Sequence, residues 1–418
     1  MKKIHLIIFI TLITGGINAQ TSIKPKQIDP EKYKIISTDR PDGRYVSSRG
    51  LVQHMMRNIK PQLAFNPQFS KEEFEIWQNQ LRIKMHELMQ FPEVPPQPMP
   101  KLIKKEKRDG YSLEKWEIYP QPGSVVPFLL LIPDGVNHRN PAPAVLCFSG
   151  SSGDKETLAG EKSPVFTPPH PEKNQMALFY VKEGLVAIAV DHPGVGESSD
   201  LELFRGSSGY DRDTFSRYLL DMGWSYLGLC AFQGQQILTW MKNQNYIDKN
   251  RIALSGHSLG TEPLMVLSIL NPDIHAIVFN DFLCRIIKRA IVSTKPTVDG
   301  IRPRANWLGH CVPGLWKWFD YPDIIACIAP RPIILTEGGA VEDLDLIKHA
   351  YKIMDAEDNL AIYHYPKYQD PQNRLHDYEF IPEGLDDDEY FKYVNVDVPN
   401  HYFKSEVAVP WLVNVLKK

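Results

Sequence analysis

The side chains with the clearest chemical potential lie in Gly256-His257-Ser258-Leu259-Gly260. Arg251 to Leu254, just before them, has buried-strand character, and Met265, Leu267, Ile269 and Leu270, just after, recur as on a helix. A serine at a strand-to-helix turn is displayed at its tip. The residues two before and two after it must be small for strand and helix to approach. The Ser258 hydroxyl is then a candidate nucleophile. The Leu259 amide, at the helix N-terminus, is a candidate donor to a developing oxyanion. An ordinary capping serine would account for the same five residues, so the reading depends on partners elsewhere.

A serine hydroxyl attacks only when a base takes its proton, and the base needs a carboxylate to set its tautomer and stabilise its charge. At a turn of this kind the partners follow in the order acid, then histidine. His401 follows the last expected strand and directly precedes the closing helix, Lys404 to Leu416. Its rival, His376 in Arg374-Leu375-His376-Asp377, sits inside an insertion. The acid is expected after the strand Pro332 to Thr336, in Glu337-Gly338-Gly339-Ala340-Val341-Glu342-Asp343. The spacing from Gly339 selects Glu342, with Asp343 and Glu337 as alternatives and Asp281, after the preceding strand, as a further one. The second oxyanion amide is expected at Ser151, within Ser149 to Ser152. This chemistry is acyl transfer through serine, and it requires neither a metal nor an organic cofactor.

The elements that must position these residues read as an α/β sheet, mostly parallel and flanked by helices. Buried strands at Ala144 to Phe148 and Leu185 to Val190 end in the glycine-rich loops Ser149 to Gly153 and Asp191 to Ser198. In open sheets ligands gather at the carboxyl ends of strands, so both loops should rim the crevice that holds Ser258. Neither has the glycine spacing of a nucleotide loop. A helix from Trp224 to Asn243, a strand from Ile274 to Phe279, a helix from Leu344 to Met354 and a strand from Leu360 to Tyr365 complete the alternation. Upstream, Ser70-Lys71-Glu72-Glu73 is a capping box opening a helix with Phe74, Trp77, Leu81, Met85 and Leu88 on one face. Pro92 to Pro100 ends it, and three strands near 102–107, 113–119 and 126–132 read as an antiparallel edge.

These boundaries divide the chain into an export signal over 1–19, a helical extension and connector over 20–100, and a catalytic domain over 101–418. Two insertions interrupt that domain. Residues 280–320 read as a cap whose Arg285, Arg289, Arg302, Arg304, Trp307, Trp316 and Trp318 would offer aromatic faces to a sugar and cations to an anion. Residues 366–398 carry the acidic run Asp386 to Glu389, which reads as a solvated loop rather than a calcium site. The signal has Lys2 and Lys3, an apolar core from Leu6 to Ile13 and small residues up to Ala19, where cleavage is expected. The mature protein would be secreted or periplasmic, without a membrane span. The 47 basic and 50 acidic residues nearly balance, which gives no reason to expect nucleic acid. Five cysteines form no disulfide framework, although Cys284 and Cys311 flank the cap and could pair. Oligomeric state is not legible.

From Leu102 to Lys418 the chain resembles the α/β-hydrolase superfamily, and within it secreted bacterial esterases related to dienelactone hydrolase and acetyl xylan esterase. The resemblance rests on Gly256-His257-Ser258-Leu259-Gly260, Val190-Asp191-His192-Pro193-Gly194-Val195-Gly196, Ala329-Pro330-Arg331-Pro332 and Asn400-His401. It implies a nucleophile at Ser258 and a base at His401. Val341 stands where the family pattern has an acidic residue, so the acid stays open. Glucuronoyl esterases are similar in layout and often place their acid after the earlier strand, as Asp281 would be. Their turn reads Gly-Cys-Ser-Arg where this chain has Gly256-His257-Ser258-Leu259. The expectation is a secreted serine carboxylic-ester hydrolase that deacetylates a polysaccharide or its oligosaccharides. The alternatives are a glucuronoyl esterase, a serine peptidase of the same fold, or a non-catalytic carbohydrate-binding protein. A peptidase would often carry a β-propeller, which the segment before Leu102 is too short to form.

Overall fold

The computed structural model describes residues 38, 40–163, 170–199, 208–295 and 307–417, with side chains in the helix Ser208–Asp221 from Arg212 onward. The expected export signal and the cap arginines Arg302 and Arg304 lie outside the described residues. Among the described residues the core is a nine-stranded sheet in the order β1-β2-β3-β5-β4-β6-β7-β8-β9. Its strands are β1 Lys101–Arg108, β2 Tyr111–Ile118, β3 Val126–Pro133, β4 Ala142–Phe148, β5 Val186–Val190, β6 Ile247–His257, β7 Ala276–Asn280, β8 Ile333–Leu335 and β9 Leu360–Ile362. The pairs from β1 to β5 are antiparallel, and those joining β5, β4, β6, β7, β8 and β9 are parallel.

The parallel strands are buried on both faces, and successive residues point to opposite sides. In β4 and β5 one face presents Ala144, Leu146, Phe148, Val186, Ile188 and Val190 to the larger core. The other presents Val145, Cys147, Ala187 and Ala189 to a second core. The larger core takes the helices Lys71–Met89, Tyr226–Lys242, Thr261–Leu270, Tyr321–Ala326 and Val341–Ile353. The second takes Lys155–Ala159, Met176–Lys182 and Ser405–Lys417, whose close seating is helped by the many alanines on that face.

Helix Lys71–Met89 has the expected capping box, Ser70 with Glu73, and buries Phe74, Trp77, Leu81, Met85 and Met89. Several boundaries differ from the sequence reading. Strand β9 stops at Ile362, ahead of Pro366, so Tyr365 is freed from the ladder and turns inward. The helix expected from Leu344 begins at Val341, which puts Glu342 and Asp343 in its first turn, where acidic side chains favour the helix dipole.

The cap expectation is also revised. Arg285 pairs with Asp323 and Asp343, Arg289 pairs with Asp387, and Trp318 lies under Lys84, so these side chains are occupied within the protein. No disulfide joins Cys284 to Cys311. Cys284 is buried in a cluster with Val292 and Tyr390, while the Cys311 thiol faces the Trp307 carbonyl oxygen at 3.6 Å. Among the described residues no helix is long and apolar enough to cross a membrane.

Trp77 tests the attachment of the N-terminal helix, because it is 3% exposed and its Nε1 donates to the Leu63 carbonyl at 2.9 Å. Trp77→Ala should cost about 3–5 kcal/mol of stability, read from the denaturant midpoint.

Candidate active site

The sheet brings the expected residues to one edge. Phe148 of β4 pairs with Gly256 of β6, and His257 of β6 pairs with Asn280 of β7. The loops after β4, β6 and β7 therefore emerge side by side. The turn after β6 is tight: a Cβ on Gly256 would lie 2.5 Å from the Gly260 carbonyl oxygen, and one on Gly260 would lie 2.4 Å from that of Phe148. Ser258 occupies the left-handed region at φ 51°, a conformation that costs a non-glycine residue roughly 1–3 kcal/mol. It lines a cavity of about 280 Å³ with Ser149 to Gly153, His170, Asn174, Met176, His257, Val398, Pro399 and His401.

The loop after β4 is braced from beneath. His192 Nε2 lies 2.6 Å from the Ser149 carbonyl oxygen. Burial pushes the His192 pKa down to about 4, so the ring is neutral and Nε2–H donates. Lys155, fully buried, pairs with Asp191 at 2.8 Å and with Glu156 and Glu197 at 3.0 Å. Arg212 Nη2 donates to the Ser151 carbonyl at 3.0 Å. Ser151 thus stands at the cavity wall on an anchored loop. Leu259 follows Ser258 in the turn, and its side chain packs with Leu219, Tyr226 and Cys230.

His401 Nδ1 lies 2.6 Å from Glu337 Oε2, so the residue brought to the histidine is Glu337, just past β8. Glu342, selected by spacing, is exposed at the start of its helix. Asp343 is taken by Arg285, whose backbone N–H donates to it at 3.0 Å. Asp281 sits after β7, where burial raises its pKa to about 7 against the opposing charge of His401, and it accepts from the Phe282 amide at 2.8 Å. His376 is elsewhere, with Nδ1 2.7 Å from Glu379. The helix begins three residues earlier than expected, which puts Glu342 in its first turn, while Glu337, one of the alternatives, meets His401.

Glu337 is fully buried. Its Oε2 accepts also from Tyr365 at 2.7 Å, and its Oε1 accepts from Lys404 at 2.5 Å. Burial alone would raise the Glu337 pKa, but the charges and hydrogen bonds of His401 and Lys404 outweigh it and lower the pKa to about 2. Burial alone would lower that of His401, but the Glu337 charge and hydrogen bond raise it to about 9. Burial and the His401 charge push His257 down to about 3, so it packs neutral against His401 with ring centroids 4.8 Å apart. Among the described residues, His257, Glu337 and His401 form the group whose donor atoms are near enough to hold a metal, all within 4.8 Å. Both Glu337 oxygens are already engaged by protein donors, which suits a hydrogen-bonded relay better than an ion. No hydrogen bond joins the Ser258 hydroxyl to His401 among the described residues; such contacts tighten when a substrate is bound.

Tyr365 and Lys404 were missed in the sequence. The signal available was slight: Tyr365 ends the expected last strand, and Lys404 opens the expected closing helix.

Comparison with known proteins agrees with the fold. The model of the Abhydrolase family matches residues 27–414. A crystal structure from Bacteroides fragilis, provisionally assigned as an acetyl xylan esterase, is 51% identical, with a TM-score of 0.87, covering 93% of this chain and all of its own. A methylesterase is 19% identical with a TM-score of 0.53, covering 76% of this chain and 63% of its own, and supports the fold alone. No curated protein matches.

The ion pair makes stability depend on pH. His401 is raised above its ordinary 6.5, so its contribution is complete below that value and is lost as pH rises through about 9. Glu337 is lowered from 4.5, so its contribution is complete above that value and is lost as pH falls through about 2. The melting-temperature gap between wild type and His401→Gln should therefore be widest near about pH 5–6 and shrink by about pH 10 in a thermal-unfolding series.

Proposed function

The chain belongs to the Abhydrolase family, and from that premise we propose that it is a secreted serine carboxylic-ester hydrolase removing O-acetyl groups from a polysaccharide or its oligosaccharides. The observation that carries the reading is the 2.6 Å contact of His401 Nδ1 with buried Glu337, on the wall of the cavity that also displays Ser258 at a strained φ. In this reading Ser258 Oγ attacks the ester carbonyl carbon. His401 Nε2, the nitrogen left open by Glu337, takes the hydroxyl proton. The amides of Leu259 and Ser151 donate to the oxyanion. Collapse of the tetrahedral intermediate breaks the bond to the sugar oxygen, which leaves with the proton from His401. Water, deprotonated by the same imidazole, then releases acetate from Ser258.

Glu337 is the acid in this scheme; Glu342 and Asp343 have no part in it, and Asp281 adds negative charge beside the imidazole. The acetyl assignment is supported by the relative at 51% identity, which spans nearly the whole chain. It is also supported by the small cavity, whose walls include Ser149, Ser151, Ser152, His170 and Asn174. Export is supported by the sequence of residues 1–19 alone.

Hydrolysis of para-nitrophenyl acetate, and acetate release from acetylated xylan, should vanish in Ser258→Ala, as should labelling by a fluorophosphonate. Glu337→Gln should lower kcat by roughly 10³- to 10⁴-fold, while Glu342→Gln stays within about twofold of wild type. Turnover confined to a methyl glucuronate ester would replace the acetyl reading. Absence of both labelling and turnover would favour a carbohydrate-binding role. Because His401 acts only when neutral, kcat/KM should climb from neutral pH toward about 9.

A further inference from the structure

The ammonium of Lys404 is buried deeper than any step above requires. The residue is 2% exposed, and Nζ contacts three acceptors: Glu337 Oε1 at 2.5 Å, the Asn400 carbonyl at 2.5 Å and the Tyr402 carbonyl at 2.7 Å. An ammonium has three protons to donate, so this set satisfies it completely. The acceptors are of two kinds. One is the oxygen of Glu337 that faces away from His401, and the others are the backbone carbonyls on either side of His401. A single side chain therefore joins the acid to the loop that carries the histidine.

The clamp is itself anchored. Asn280, at the end of β7, accepts from the Lys404 amide at 2.7 Å and donates to the Tyr402 carbonyl at 3.2 Å. With Oε1 held by Lys404 and Oε2 by Tyr365 and His401, the carboxylate cannot rotate without leaving a buried charge unpaired. We propose that Lys404 is a positioning residue of the reaction, a buried clamp that fixes Glu337 and the His401 loop against one another. The proposal rests on Glu337 and His401 serving Ser258 as argued above.

The clamp also has an electrical effect. His401 faces Glu337, Tyr365, Asp281, His257 and Lys404, and Tyr365 faces Asp397 in addition. Glu337 and Asp281 favour the imidazolium, whereas Lys404 opposes it. Without that cation the imidazole would hold its proton to higher pH and be a base over a narrower range. A purely structural lysine would lower activity at every pH alike.

The test compares wild type with Lys404→Gln, Lys404→Met and Lys404→Arg. The readouts are kcat, KM and the acid limb of the pH profile on para-nitrophenyl acetate, with His401 protonation followed separately by NMR of the imidazole. Gln keeps a hydrogen-bond donor and guards against loss of folding in Met. The proposal expects both to lower kcat on the order of 10- to 100-fold with little change in KM. It also expects both to move the acid limb and the NMR midpoint of His401 to higher pH, and Arg to restore both positions. Folded Gln or Met variants with wild-type kcat, or with a uniform loss and an unmoved His401 midpoint, would overturn it. The NMR midpoint reads the coupling without turnover, and Ser258→Ala and Glu337→Gln judge the triad separately, so failure of either is told from failure of the other.

Discussion

A carboxylate with no solvent contact is the constraint from which the cavity end of this molecule is built. Glu337 is fully buried, and an isolated ionised carboxyl there would be prohibitively costly. It is tolerated because three segments converge on it: Tyr365 from beyond β9, His401 from the last loop and Lys404 from the start of the final helix. The C-terminal part of the chain meets the carboxylate at both His401 and Lys404, and the contact with Glu337 fixes the orientation of the imidazole.

The Ser258 side of the cavity is governed by sterics instead. The turn after β6 approaches the end of β4 so closely that side chains at positions 256 and 260 would collide with backbone, and Ser258 accepts a positive φ between them. Beneath it the ion pairs of Lys155 and the neutral His192 hold the opposing loop. The cavity is therefore bounded by two rigid turns from adjacent parallel strands and by a loop held through the buried ion pair.

Charged side chains of the cap illustrate how composition misleads. A stretch rich in Arg and Trp invites a ligand-binding reading, yet Arg285 and Arg289 are paired with Asp323, Asp343 and Asp387. Those partners lie between 38 and 98 positions away in sequence from the arginines, close only after folding. Long-range pairing of this sort leaves no local pattern.

By itself the sequence determined the features whose causes are local. The alternation of buried strands and helices, the capping box at Ser70, the small residues around Ser258 and the serine-to-histidine order all follow from short-range sterics, hydrophobic periodicity and chain direction. Tertiary structure alone decided which carboxylate meets His401. Glu337, Glu342, Asp343 and Asp281 are equivalent as residue types, and they are separated by where a helix happens to begin and by what each one meets: His401 and Lys404 at Glu337, Arg285 at Asp343, the Phe282 amide at Asp281 and solvent at Glu342. It also decided the roles of Tyr365 and Lys404, since a tyrosine at a strand end and a lysine at a helix start are ordinary surface residues until the fold removes them from water. Electrostatic partnership across distant segments is a property of the packed chain, and no window of sequence contains it.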